Sequence, residues 1–248
     1  MRPASSIRAL SYNVHGFPWI PTDIPAIVAW LTQAADIVAL QEVWCRREAW
    51  RAAFAARGWV FHTPPREHHI AGILGFGSGL AIATPRSWQL HESRFYPFLA
   101  ATGLDALVVK GWMRAELTGP DGQRLRILNT HCQADADICP ELWEPTTEAI
   151  RLAQIRQLML SETRAAAPVP TLLLGDFNTA ELFGCPGWQR ACADPTFPET
   201  GQVLDHCIAW GPWTLIRHEV LRRPWSDHFP VRWTLRLSPR PRHPPPRS

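Results

Sequence analysis

The sequence predicts one α/β domain with packed sheets, and three observations carry that prediction. Short β-type runs recur from residue 7 to residue 237, helical patterns fall between them, and neither an internal repeat nor a linker interrupts the series. A chain of 248 residues with 46% hydrophobic content is long enough to bury a large core as a single unit.

The first run, IRALSYNV (7–14), alternates apolar and polar residues as a half-buried strand does. A helix is expected over 23–34, opened by Asp23 with Pro25 in its first turn, because an aspartate can cap the free amides there and proline needs none. DIVALQEV (36–43) is the second strand, and 46–57 the second helix, closed by Gly58. Strands follow at SGLAIATP (78–85), ALVVKGWMRAEL (106–117) and RLRILNTH (124–131). The pattern of Ile150, Ile155, Leu158 and Met159 predicts a long helix over 144–164. TLLLGDF (171–177) reads as a strand, 185–192 as a short helix, and VLDHCIAW (203–210), WTLIRHEVL (213–221) and FPVRWTLRL (229–237) as the closing strands. The domain is thus expected over 1–237. The remainder, 238–248 with PRPRHPPPRS at its end, cannot build ladders because proline supplies no donor, so a disordered Pro/Arg-rich tail is expected.

The formal charge of +3 comes from 25 basic and 22 acidic residues, and Arg240, Arg242 and Arg247 account for all of the excess. The body is therefore neutral, without the net basic charge that dedicated phosphate-backbone binders usually carry. Lys110 is the only lysine among the 25 cations, which singles it out. Six cysteines include no CxxC pair, which argues against a zinc ribbon or thioredoxin-like motif and leaves buried free thiols as the expectation. There is no long apolar stretch at the start and no run of membrane-spanning length, so a soluble, cytoplasmic protein is expected.

The chemistry lies at the strand ends. Apolar runs finish in Asn13, in Glu42, in Asn129 and His131, in Asp176 and Asn178, in Asp205, and in Asp227 with His228. An isolated GDFN is an ordinary turn, but if these strands share an edge their polar ends converge on one pocket. Carboxylates and amide oxygens without thiolates suit a hard cation such as Mg²⁺ or Mn²⁺, and two histidines beside them can move protons. That combination answers phosphoryl transfer, where charge on the phosphoryl oxygens must be offset while water is deprotonated. The adjacent His68 and His69 are read as loop residues, because neighbouring side chains rarely converge on one ion.

Read in order, Asn13, Gln41-Glu42, Asn129-Thr130-His131, Gly175-Asp176-Phe177-Asn178, Leu204-Asp205-His206 and Ser226-Asp227-His228 resemble the strand-ending signatures of the endonuclease/exonuclease/phosphatase superfamily. The resemblance implies a four-layer α/β/β/α sandwich of two packed mixed sheets and metal-dependent hydrolysis of a phosphoester. It implies that Asn13 and Glu42 hold the divalent cation with Asp227 close by, and that His228 is the general base, oriented by Asp205. Asp176 and Asn178 would position the water and the phosphoryl oxygens, and His131 would assist at the leaving oxygen or stabilise the transition state.

Finer features are similar to the neutral sphingomyelinase branch: Asn13-Val14-His15-Gly16-Phe17-Pro18-Trp19, Gln41-Glu42-Val43-Trp44, Gly77-Ser78-Gly79-Leu80, Tyr96-Pro97-Phe98, and Asp105 followed by Lys110-Gly111. That resemblance implies that Asp105 and Lys110, with Asn129, serve the substrate phosphate or the competence of the site. His15 departs from it, standing where a tryptophan is common. The expected substrate is a phosphodiester, with a phospholipid at a membrane surface favoured and Phe17, Trp19, Trp112, Trp143 and Trp225 as a candidate aromatic rim. A nuclease would use the same chemistry and is less favoured because the body is neutral. A non-catalytic binding module would have lost one of Glu42, Asp176, Asp227 or His228, and all four are present.

Overall fold

A computed structural model describes residues 6–64, 77–135, 140–164, 169–182, 188–191 and 194–237. The expected tail, His68, His69, Cys139, Cys185, Cys192 and the side chain of Trp143 lie outside the described residues. In chain order the elements are β1 (Ser6–Asn13), α1 (Ile24–Ala34), β2 (Ile37–Gln41), α2 (Arg47–Ala56), β3 (Trp59–His62), β4 (Ala81–Pro85), β5 (Gln89–Pro97), β6 (Gly111–Thr118), β7 (Arg124–His131), α3 (Pro140–Arg164), β8 (Thr171–Asp176), β9 (Trp188–Ala191), β10 (Asp205–Trp210), β11 (Trp213–Val220) and β12 (Val231–Leu237). They form two six-stranded mixed sheets, ordered β11-β12-β1-β2-β4-β3 and β5-β6-β7-β8-β10-β9.

Side chains alternate across each strand, so every strand of a stacked pair of sheets feeds two cores. Ile7, Ala9, Ile37 and Ala39 of the first sheet meet Met113, Ala115, Ile127, Leu172 and Leu174 of the second in the space between them. The opposite faces are covered by helices. Leu10, Tyr12, Val38 and Leu40 pack under Ile27, Leu31, Trp50 and Phe54 of α1 and α2. Leu128, Leu173 and Ile208 pack under Ile155, Leu158 and Met159 of α3. The layers are therefore helix, sheet, sheet, helix, as the resemblance implied. No helix among the described residues is long and apolar enough to cross a membrane.

Three expectations are corrected. Residues 188–191 of the expected 185–192 helix form β9, paired antiparallel with Cys207–Trp210 of β10, so an open sheet edge overrode the local helical pattern. The strand expected from 106 begins at Gly111, because Gly103–Leu107 is a 3-10 turn and Val108 donates back to Asp105. The strands β3 and β5 were not anticipated. Both lie at sheet edges, and the exposed QLHESRFYP of β5 carries little of the apolar alternation that marks a buried strand.

Gly175 is the position where backbone freedom decides the architecture. Its φ is 155°, and a Cβ added there would lie 2.2 Å from the Thr130 carbonyl oxygen of the parallel neighbour β7. Glycine precedes Asp176 because nothing larger lets the two strands pair at that rung. Gly175→Ala is expected to destabilise the fold by roughly 3 kcal/mol, readable as a lower denaturant midpoint.

Candidate active site

Strand register places the polar ends on one level. His131 lies opposite Asp176 across β7 and β8, and Asp176 opposite Asp205 across β8 and β10. Alternation along the strands then aims them inward: Leu172 and Leu174 share a face with Asp176, Cys207 and Ala209 with Asp205, and Ile7 and Ala9 with Asn13. The same periodicity that fills the inter-sheet core therefore lifts these polar groups to its open end, Asn13 and Glu42 from one sheet facing His131, Asp176 and Asp205 from the other.

The contacts are close. The Asn13 amide Nδ2 donates to Glu42 Oε1 at 2.9 Å and to Asp176 Oδ2 at 3.1 Å. His131 Nε2 faces the same pair, 3.9 Å from Glu42 Oε1 and 3.7 Å from Asp176 Oδ2. His228 Nδ1 is 2.9 Å from Asp205 Oδ2, and its Nε2 is 3.6 Å from Asp176 Oδ2. Asn178 gives its backbone N–H to Asp176 Oδ1 at 2.9 Å and its side-chain amide to the Cys132 carbonyl at 3.1 Å. Glu42, with φ 58°, Asn178, with φ 53°, and His15, with φ 46°, all hold left-handed backbone at this mouth. Such conformations cost of order 1–3 kcal/mol each for most residues and concentrate where geometry is functionally constrained.

Electrostatics separates the two histidines. Burial, reinforced by the positive Lys110 and His228, holds His131 well below the usual imidazole range, so it is neutral. Burial also acts to lower His228, but Asp205 and Asp176 overcome it and raise the group to about 10. Asp176 is pushed up to about 6, by burial first and by the charge of Asp205, with His228 opposing. Carboxylate charge is thus in excess at the centre of the site.

Most of the expected residues come together, and some take other roles. Asp227 reaches the mouth through His15, whose Nδ1 is 3.2 Å from Asp227 Oδ2, while Ser226 Oγ bridges Asp227 Oδ1 and the Asn13 carbonyl. Asn129 is a correction. It lies one inward position deeper than His131, its amide donates to the carbonyls of Leu40 and Ala81, and its Oδ1 accepts from Gln41. It ties the two sheets together and has no group left for a phosphate. Lys110 is buried, 3.1 Å from Asp105 Oδ1 and 3.1 Å from the Cys132 carbonyl, and Asp105 Oδ2 accepts from Ala134 N–H. The pair braces the segment just after His131 from behind. Trp112 is not a rim residue either, being buried under α3 with its indole donating to Glu162. Phe17 and Trp19 do stack at the mouth, 5.0 Å apart, and Trp19 is 71% exposed. Among the cysteines described, Cys132 and Cys207 are buried and Cys45 is half-buried, all as free thiols.

Two further residues position the site: Thr196, which had no sequence signal, and Trp44, which the sequence marked only as part of Gln41-Glu42-Val43-Trp44. The buried hydroxyl of Thr196 accepts the N–H groups of Leu204 and Asp205, and its carbonyl accepts from Phe229, so it holds both sides of the Asp205–His228 contact. The Trp44 indole lies 3.4 Å from Glu42 Oε2. Thr196→Val is expected to cost roughly 1–3 kcal/mol by orphaning two buried donors, measured by thermal or denaturant unfolding.

The donor set suits a divalent cation. Glu42 and Asp176 converge on shared polar neighbours, Asp176, Asp205 and His228 offer ligand atoms within 4.8 Å of one another, and Asp205 Oδ1 is buried without a hydrogen-bond partner. Solved structures share the fold. A Staphylococcus aureus beta toxin mutant with bound magnesium ions is similar at TM-score 0.74 and 14% identity, over 92% of this chain and 99% of that one. Sphingomyelinase C from Streptomyces griseocarneus is similar at 0.66 and 18%, over 93% and 99%. D. rerio TDP2 complexed with a single-strand DNA product is similar at 0.70 and 16%, over 93% and 99%. A comparison with curated protein sequences returned no match. The profile of the Endonuclease/Exonuclease/phosphatase family matches residues 10–228, and the chain belongs to that family of phosphoester hydrolases.

Proposed function

We propose that the protein is a divalent-cation-dependent phosphodiester hydrolase of the sphingomyelinase and phospholipase C type, working by in-line attack of water. The observation that carries this reading is the shared rung: His131, Asp176 and Asp205 at one level, with Asn13 and Glu42 facing them and His228 locked to Asp205 at 2.9 Å. A cation held by Glu42 and Asp176, with Asp227 and the amide of Asn13 beside them, supplies Lewis acidity toward a phosphoryl oxygen.

The other roles belong to the chain. Asp205 fixes the His228 ring through Nδ1, so that Nε2 faces the mouth as the proton acceptor for the attacking water. Asp176 and Asn178 orient that water and the phosphoryl oxygens, Asn178 being held by its own bond to the Cys132 carbonyl. His131, neutral and 3.7 Å from Asp176, serves the leaving oxygen as a hydrogen-bond donor.

A lipid substrate is favoured by the rim. Leu99, 91% exposed, and Trp19, 71% exposed, follow strands of opposite sheets at the end where His131 lies, since Pro97, Gly111 and His131 share a level. Apolar groups left in water on both sides of a mouth suit a headgroup layer better than a polyanion. The test is a panel of sphingomyelin, phosphatidyl lipids, plasmid DNA, RNA and phosphomonoesters with Mg²⁺, Mn²⁺ or EDTA. Lipid turnover that falls in a Trp19→Ser, Leu99→Ser variant, with bis-p-nitrophenyl phosphate hydrolysis retained, is the expected result. Turnover of DNA or RNA alone would favour the nuclease reading, and no turnover of any diester would overturn the proposal.

A further inference from the structure

A cavity of about 450 Å³ opens beside the mouth, on the helix side of the first sheet. Pro21, Thr22, Asp23 and Ile27 line it from the entry to α1, and Pro224 and Trp225 from the loop before β12. Its size falls within the range of small-molecule sites. Half of its lining is stiff, two proline rings and an indole, beside Thr22, Asp23 and Ile27.

In those walls the Thr22 hydroxyl and one carboxylate oxygen of Asp23 are already engaged, and Asp23 is the one charged group among the lining residues, which leaves an anion to the side away from it. The Thr22 hydroxyl donates to the Ile20 carbonyl, and Asp23 Oδ1 accepts from Ala26 N–H as the cap of α1. The neighbouring cation differs. The Arg223 guanidinium lies 4.9 Å over the Trp30 ring and 5.8 Å from the Trp225 ring, and the two indoles meet edge-on at 5.5 Å. Stacking uses the face of a guanidinium and leaves its in-plane N–H donors free. No carboxylate among the described residues pairs with Arg223.

We propose that this cavity binds a planar ring carrying a phosphate-type anion, the ring between the prolines and Trp225 and the anion on Arg223. An unbranched acyl chain would match neither the stiff rings nor the free cation. The two loops that build the cavity also meet at the mouth, where His15 pairs with Asp227 at 3.2 Å, and Ser226, Asp227 and His228 follow Trp225 directly. Binding at this cavity does not rest on the hydrolase reading.

The test titrates phenyl phosphate into the full chain in EDTA, following the indole N–H signals of Trp30 and Trp225 by NMR, with inorganic phosphate, benzyl alcohol and hexyl phosphate as comparisons. Phenyl phosphate is expected to shift both indoles and to bind more tightly than each comparison compound. Arg223→Gln should weaken it roughly 10-fold, the effect of one charge-assisted contact, and Thr22→Trp, filling the space, should abolish the shifts. Unmoved indoles, equal affinity for inorganic phosphate or for hexyl phosphate, or unchanged affinity in Arg223→Gln would overturn the proposal. Hydrolysis of bis-p-nitrophenyl phosphate with Mg²⁺, assayed on the same preparations, separates the two ideas: indole shifts without hydrolysis sink the hydrolase reading alone, and hydrolysis without shifts sinks the cavity alone.

Discussion

His228→Ala is expected to lower Mg²⁺-dependent hydrolysis of bis-p-nitrophenyl phosphate by roughly 10²–10⁴-fold, the usual contribution of a positioned acid–base group. The ring is held on one side by Asp205 at 2.9 Å and packed on another by Phe197, with ring centroids 4.9 Å apart, so its orientation is set before substrate arrives. Circular dichroism should show a folded variant, because the ring sits at the mouth and not in the three cores. In the cation-free protein Asp205 and Asp176 raise His228 to about 10, although burial acts against them. That proton therefore contributes stability in full below pH about 6.5, the value for a free imidazole, and the contribution is lost as pH rises toward 10. The stability gap between parent and His228→Ala should accordingly narrow between neutral pH and pH 10 in EDTA. A base must be free of its proton at working pH, so Mg²⁺ is expected to move the His228 titration downward, as added positive charge at the carboxylates offsets what holds the proton. An NMR titration that is the same with Mg²⁺ and with EDTA would contradict the assignment of His228 as the base.

Asp176→Asn is expected to remove activity by a comparable factor, several kcal/mol of barrier, with an opposite signature in stability. Asp176 touches Asn13, Asn178, His131 and His228, so its charge is central to the site. Its pKa is pushed up to about 6, burial first, which means that ionising it within the fold is unfavourable. An acid whose folded value lies above its unfolded one costs stability once pH exceeds the unfolded value of about 4, fully so above about 6. At pH 8 in EDTA, Asp176→Asn should therefore unfold no earlier than the parent, while turnover collapses. A variant that lost both activity and several degrees of melting temperature would instead mark Asp176 as a structural brace. Sites of this kind often sacrifice stability for function.

Much of the candidate site was legible because its residues end apolar runs, and strand alternation ties the facing of those ends to the facing of the core. Asn13 follows Ile7 and Ala9 at even spacing, and Asp176 follows Leu172 and Leu174, so both had to point between the sheets if the leucines did. The same rule applied to Asn129 misled, since even spacing fixes a face but not a depth. One position deeper than His131, its amide met Leu40, Ala81 and Gln41 of the opposing sheet and became a tie. Lys110 stood out by its rarity and by its spacing from Asp105, and neither says which way an ammonium points. The edge strands β3 and β5 and the recruitment of 188–191 into β9 were invisible for a related reason: an edge pairs through backbone, which every sequence carries.

By itself the sequence determined the alternation of strands and helices, the order of the polar strand ends, and the oxygen and imidazole character of the site, because these depend on residue type and local spacing. Only the tertiary structure decided that His131, Asp176 and Asp205 occupy one level opposite Asn13 and Glu42, that His228 rather than His131 carries the raised pKa, and that Arg223 stands over two indoles beside an open cavity. Distances between strands far apart in the chain, and the burial that sets a proton's affinity, arise only when the sheets close on each other.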